Sequence, residues 1–345
     1  MLHWVENSAN LNMTQIQIVV TGSRGKSSVA RLLFCALSSY GLQTWARITG
    51  VVPRELSPFG ERAILRSAGG HVEEMRWWLR SLPPHAEAVV LENSAVAPEL
   101  QKLPSCWLKN PIFVITNVRS DHQDAWGPGE EGAVLALTQG IPRKSTVFIP
   151  ESTSSSPLLL SVLTQKQCQI HIAAFSSLET CVMWKEENMA IVRDILSFLG
   201  LDPKLGEEAM TCLLPDIADF QEIKFGENIL AVAFSANDVE TTQRLFESLR
   251  WPVEDTTLLF NNRRDRPERL KAFLPWLRRK DWKKVYLMGA RPFCGHEGIE
   301  YIKMVSTQEF ASFMRQKKRV LGCGNVAGLP LEYLLEYTYK RCKHA

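Results

Sequence analysis

Gln15-Ile16-Gln17-Ile18-Val19-Val20-Thr21-Gly22-Ser23-Arg24-Gly25-Lys26-Ser27-Ser28-Val29-Ala30-Arg31-Leu32-Leu33 decides the fold. Gln15–Val20 is a short, mostly apolar run of strand character. A glycine-containing polar turn follows, and from about Lys26 to Tyr40 apolar residues recur at helical spacing until Gly41 stops them. Strand, glycine loop and helix in that order bring backbone N–H groups and the positive end of a helix to one point, which is an anion site. Gly22, Ser23, Arg24, Gly25, Lys26, Ser27 and Ser28 form the turn. Lys26 is placed to reach the β- and γ-phosphates of a nucleotide, and the Ser27 hydroxyl to ligate Mg²⁺. The strict nucleotide-loop spacing requires glycine at position 20, where this chain has Val20. The bland alternative is a glycine turn feeding a helix, with an exposed lysine. Taken alone, the loop does not separate a kinase from a GTPase or a ligase, and no Asn-Lys-x-Asp guanine-reading motif accompanies it.

Outward from this loop the same grammar repeats. Thr44–Ile48, Ala88–Leu91, Ile112–Thr116, Thr146–Ile149 and Ile170–Phe175 read as strands. Val72–Leu82, Glu130–Thr138 and Pro157–Leu163 read as the helices between them, and Met189–Leu199 and Leu205–Leu213 as a closing helical pair. The alternation then restarts with strands Ile229–Phe234, Thr257–Phe260, Val285–Met288 and Arg319–Cys323. Helices Val239–Leu249, Pro267–Leu277, Thr307–Gln316 and Leu331–Arg341 separate or follow them. The expected fold class is therefore α/β: a phosphate-loop domain with a mostly parallel sheet covered on both faces, then a smaller Rossmann-like α/β domain. The boundary is expected near Phe225, giving an ATP-binding domain over 1–225 and a C-terminal domain over 226–345. Trp77-Trp78, Trp276 and Trp282 stand at helical spacing and read as packing.

Composition sets the outer limits. The 345 residues are 45% hydrophobic and 22% charged, as expected of a chain with proper cores, and the net charge of +3 is too small to argue for nucleic acid. Eight cysteines occur with no Cys-x-x-Cys pair, so they read as reduced thiols of a cytoplasmic protein. Met1–Asn12 lacks the basic start and apolar core of a signal peptide, and no apolar run is long enough to span a membrane.

Ligands of doubly wound sheets collect at the carboxyl ends of the strands. Ala88–Leu91 runs into Glu92-Asn93, and Ile112–Thr116 into Asn117-Val118-Arg119-Ser120-Asp121-His122-Gln123-Asp124. Glu92 suits a hard cation such as Mg²⁺, against the alternative of a surface carboxylate. His122 suits a metal or a phosphate, with Asp121 and Asp124 either fixing its tautomer or capping a turn.

Together with Ile48-Thr49-Gly50, Glu92-Asn93-Ser94-Ala95-Val96-Ala97-Pro98, Asn117–Gly127, Glu187-Asn188-Met189-Ala190, Phe234-Ser235-Ala236-Asn237-Asp238, Asn261–Pro267 and Gly322-Cys323-Gly324-Asn325-Val326, these motifs resemble the Mur ligase family. Within it the likeness is to the ligase subunit of poly-γ-glutamate synthase, the PgsB/CapB type, and it runs in order along nearly the whole chain. The resemblance implies an ATP-dependent amide ligase. Such an enzyme phosphorylates a carboxylate, and an amine then attacks the acyl phosphate to make a γ-glutamyl or related amino-acid linkage. By position it gives Lys26 to the phosphates, Ser27, Glu92 and His122 to metal, and Asn188 to the adenine. Asn237, Asp238, Arg264, Asp265 and Arg266 would come to the nucleotide from the second domain. It further implies a small multi-spanning membrane partner. The phosphate loop stands so near the first residue that the family's UDP-precursor-binding domain is not expected ahead of it, which disfavours peptidoglycan precursors. Two family features depart from pattern. The lysine expected about fifteen residues beyond the metal-binding histidine is missing from Leu135–Gly140, with Lys144 too far along, and the interdomain arginine is replaced near Gln221.

Overall fold

Two sheets, each dominated by parallel pairings, organise the computed structural model, which describes residues 16–66, 70–174, 183–217, 219–236, 238–292 and 294–344. The described residues fall into two compact units that part between Leu213 and Leu214.

In the first unit the strands are β1 (Ile16–Thr21), β2 (Thr44–Ile48), β3 (Arg54–Ser57), β4 (Gly60–Ala63), β5 (Ala88–Glu92), β6 (Ile112–Ile115), β7 (Thr146–Pro150) and β8 (Gln169–Ala173). They lie in the order β4-β3-β2-β5-β1-β6-β7-β8, with only the β3–β4 hairpin antiparallel to its neighbours. Central parallel strands are covered on both faces, so β1 must be apolar on both. Ile18 and Val20 enter one core with helices Lys26–Ser39, Met183–Phe198 and Pro203–Cys212. Val19 enters the other, under Glu73–Ser81, Gly129–Thr138 and Pro157–Gln165. From β1 the chain crosses to β2 on one side, while β6, β7 and β8 follow on the other. The carboxyl ends of β1, β5 and β6 therefore meet at one switch point.

The second unit holds β9 (Glu222–Phe225), β10 (Asn228–Val232), β11 (Thr257–Asn262), β12 (Lys284–Gly289), β13 (Ile299–Tyr301) and β14 (Arg319–Gly324), in the order β13-β12-β11-β14-β10-β9. Trp276 and Trp282 pack in its core and Trp78 in that of the first unit, whereas Trp77 is 61% exposed.

Several elements depart from the sequence expectation. The β3–β4 hairpin was not foreseen because only Leu56 of its residues is buried, which leaves no period-two apolar signal. Cross-strand ion pairs Arg54–Glu61 at 2.6 Å and Arg62–Glu55 at 3.1 Å join it instead. β9 likewise buries only Ile223, and it places the start of the second sheet ahead of Phe225. The helix expected from Met189 begins at Met183. The strand expected to reach Phe175 ends at Ala173, and Phe175 lies outside the described residues.

Candidate active site

The glycine loop is clamped to the exit of β6. Gly22 has φ 132°, and a Cβ built on it would sit 2.1 Å from Thr116 Oγ1, so only glycine fits there. Thr116 Oγ1 donates to the Arg24 carbonyl at 2.5 Å, Asn117 Nδ2 to the same carbonyl at 3.1 Å, and Ser23 Oγ to the Arg119 carbonyl at 2.6 Å. Gly25 closes the loop in the left-handed region, at φ 76°. No side chain caps the helix it opens, and its first turn holds no acidic residue, as an anion-binding helix end requires.

Glu92 ends β5 and is 2% exposed. Its carboxylate accepts from Ser27 Oγ at 2.7 Å, from Thr49 N at 2.7 Å and from Thr49 Oγ1 at 2.5 Å. Such hydrogen bonds fix the carboxylate at the end of β5, against the Ser27 and Thr49 hydroxyls. Lys26 turns its Nζ onto the Gly22 carbonyl at 2.7 Å. Burial lowers the pKa of this ammonium, with the charges of Glu92 and Asp121 opposing the shift. Lys26, Glu92 and His122 all line one cavity of about 330 Å³.

His122 reaches that cavity from a left-handed backbone, φ 43°, just before the short helix Gln123–Trp126. Its ring meets Trp126 edge-on at 5.1 Å, and Asp121 Oδ2 lies 3.9 Å from its Nε2. Asp121 also faces Arg24 at 3.6 Å. Among the described residues no three His, Cys, Asp or Glu side chains cluster as a ready-made metal site. The oxygen donors that do meet, Ser27 Oγ and the Glu92 carboxylate, are of the type a hard divalent cation prefers. Where the family pattern asks for lysine, Leu137 lines the cavity.

Asn188, on helix Met183–Phe198, brings its Oδ1 to 4.0 Å from where a Gly25 Cβ would sit, and so stands beside the loop. In the second unit Asp238 caps helix Val239–Ser248, accepting from Thr241 N at 2.7 Å. Asp265 is forked by Arg263 at 2.6 Å, which lowers its carboxyl pKa, while Arg264 and Arg266 are exposed. Asn237 lies outside the described residues. Gln221 donates to the Asp216 carbonyl at 3.3 Å.

Residues 219–341 match the family model of the poly-gamma-glutamate synthase CapB C-terminal domain. PGA synthase CapB of Bacillus subtilis (strain 168) is 23% identical, over 96% of this chain and 93% of its own. MurF ligase from Thermotoga maritima in complex with ADP superposes with a TM-score of 0.67 at 14% identity, covering 98% of this chain and 83% of its own. A bifunctional folylpolyglutamate synthase/dihydrofolate synthase with Mn, AMPPNP and L-glutamate bound gives 0.66 at 14% identity, covering 98% and 93%. This chain is Mur-ligase-like in fold and CapB-like in sequence.

The cavity of this CapB-like chain contains groups that sequence reasoning missed. Arg66 and His71 also line it. Both sit in a polar segment with no apolar period, so the sequence offered no strand end from which to read them. Arg47, on β2, is fully buried, an anomaly for arginine that the strand pattern concealed.

Proposed function

We propose that this chain is an ATP-dependent, ADP-forming amide ligase that activates a carboxylate as an acyl phosphate and passes it to an amine, in γ-glutamyl polymer synthesis. The observation that carries the reading is the convergence of Lys26, Glu92 and His122 on one cavity at the mouth of a clamped glycine loop, with Ser27 bonded to Glu92, in a chain similar to PGA synthase CapB. The loop amides and Lys26 hold the phosphates and offset the charge that develops as the γ-phosphoryl moves to the substrate carboxylate. Ser27, Glu92 and His122 are the groups that would hold Mg²⁺. The ion would neutralise the phosphate oxygens when bound. The substrate carboxylate attacks phosphorus, ADP leaves, the amine attacks the acyl carbon, and inorganic phosphate departs with one oxygen of the carboxylate. Asn188 is assigned to the adenine, and Asn237, Asp238, Arg264, Asp265 and Arg266 are assigned to the nucleotide from the C-terminal unit. We assign the phosphate-loop domain to the first unit and the C-terminal domain to the second, whose sheet opens with β9 ahead of Phe225.

Among the described residues no helix is long and apolar enough to cross a membrane. The reading assigns the chain to the inner face of the membrane through a small multi-spanning partner; co-purification from detergent extracts tests this, and its absence there counts against it. The ligase reading is tested by ADP and phosphate release over a panel of amino acids and γ-glutamyl peptides, with mass spectrometry of the products. Release should require both an acid and an amine. ATP turnover indifferent to every acid and acceptor contradicts it.

A further inference from the structure

Behind the cavity wall lies a charge arrangement to which the proposed function assigns no role. Arg47 is 0% exposed and donates through Nη2 to Glu74 Oε2 at 2.8 Å. Its Nε and Nη1 are buried and find no hydrogen-bond partner among the described residues. The same Glu74 oxygen accepts from Arg66 Nε at 2.9 Å and Nη2 at 2.6 Å, while Glu74 Oε1 accepts from the His71 backbone N–H at 3.1 Å. One carboxylate therefore faces two guanidinium groups, and the cluster keeps an excess positive charge.

Burying a guanidinium with open donors costs several kcal/mol, and well-packed apolar residues of similar volume do as well for stability. A purely structural account leaves Arg47 unexplained. Glu74 is also more than a partner for it: the carboxylate fixes the plane of Arg66. Burial raises the Glu74 pKa, yet the bonds from Arg66 and His71 and the charges of Arg66 and Arg47 outweigh it and bring the net shift below the usual value. Gly70 completes the mount, because a Cβ there would lie 3.1 Å from Arg66 Nη1. Arg66 remains 27% exposed and faces the cavity that holds Lys26 and Glu92. The cavity thus has two cationic anchors. Lys26 is assigned to the phosphates, and among the described residues the one carboxylate lining the cavity, Glu92, is already engaged by Ser27 and Thr49.

We propose that Arg66 binds a second carboxylate of the substrate, the one that is not activated, with Glu74 and Arg47 as positioning residues that hold its guanidinium in place. This rests on the ligase reading above. On that reading the activated substrate carries two carboxylates, and Arg66 is the residue that takes the one not phosphorylated. A planar, forked donor is the group suited to that contact, since it can meet both carboxylate oxygens at once.

The test compares ADP release by the full chain with L-glutamate and with its α-amide, which keeps the γ-carboxylate but loses the α-charge. Binding of an ATP analogue is measured on the same samples as a check on folding. The wild type should favour glutamate at least about tenfold in kcat/KM, the discrimination of a lost charge-assisted pair. Arg66→Ala should erase that preference, mainly through KM, with analogue binding within about twofold of wild type. Arg66→Lys, which keeps the charge without the fork, should restore part of it, and Glu74→Gln should weaken it. Equal use of glutamate and α-amide by the wild type, or a preference that survives Arg66→Ala, overturns the proposal and leaves the ligase reading standing. No ADP release by the wild type with any acid overturns both.

Discussion

At the carboxyl ends of β1, β5 and β6, polar side chains converge on a cavity; at the ends of β11 and β14, they converge on one another. Asn261 Nδ2 donates to the Asn325 and Ala327 carbonyls at 2.6 and 2.9 Å, and Asn325 Nδ2 returns a bond to the Asn261 carbonyl at 3.0 Å. Arg269 Nη1 closes the knot on Asn325 Oδ1 at 2.6 Å. Both rims gather polar and charged side chains at or beside strand ends. In the second unit those groups satisfy backbone and each other, so they lock two strands in register. In the first, Lys26, Glu92 and His122 line one cavity of about 330 Å³. A polar residue at a strand end is thus distinguished by what it touches, not by its type.

Substitutions that sharpen this contrast rank by expected effect. Lys26→Ala removes the cation at the phosphates and should lower kcat/KM by at least about 10²–10³-fold, read as ADP release. Its thermal melting should move little, because Lys26 bonds only to the Gly22 carbonyl among the contacts described above. Glu92→Gln and His122→Ala should each cost about 10–100-fold, partly recovered by raised Mg²⁺; wild-type rates in both would remove the metal assignment. Asn325→Ala should do the reverse of Lys26→Ala. It removes one of the bonds to the Asn261 carbonyl and one of those made by Arg269, and should cost about 1–3 kcal/mol of stability by chemical denaturation, with affinity for an ATP analogue unchanged. If Asn325→Ala lost nucleotide affinity at full stability, the two rims would not differ as described. The smallest effect is expected of Gln221→Arg, which should leave activity equal or somewhat higher if a missing arginine limits turnover.

Much of the first rim was legible because its signals are strong ones. The β1–loop–helix unit combines a short strand, a Gly-Lys-Ser core and a long helical period. Glu92 could be read because it follows four consecutive buried positions, Ala88 to Leu91, and is itself the fifth. Arg66, His71 and Glu74 were not legible. They come from an irregular segment and the first turn of the helix Glu73–Ser81, and only the folded chain brings them against Arg47 of β2. Asp238 illustrates a different difficulty. An aspartate before a helix is expected both of a cap and of a ligand, and here it accepts from Thr241 as a cap does. The missing lysine could be noticed in the sequence, but that Leu137 turns into the cavity required the packing of helix Gly129–Thr138.

The central claim is that ATP activates a carboxylate at this cavity, and oxygen transfer tests it directly. L-Glutamate carrying ¹⁸O in its γ-carboxylate would be turned over with ATP and an amine acceptor, and the released phosphate analysed by mass spectrometry. Carboxylate attack on phosphorus predicts one ¹⁸O in each phosphate released. Unlabelled phosphate, formed by water attack, would contradict the account.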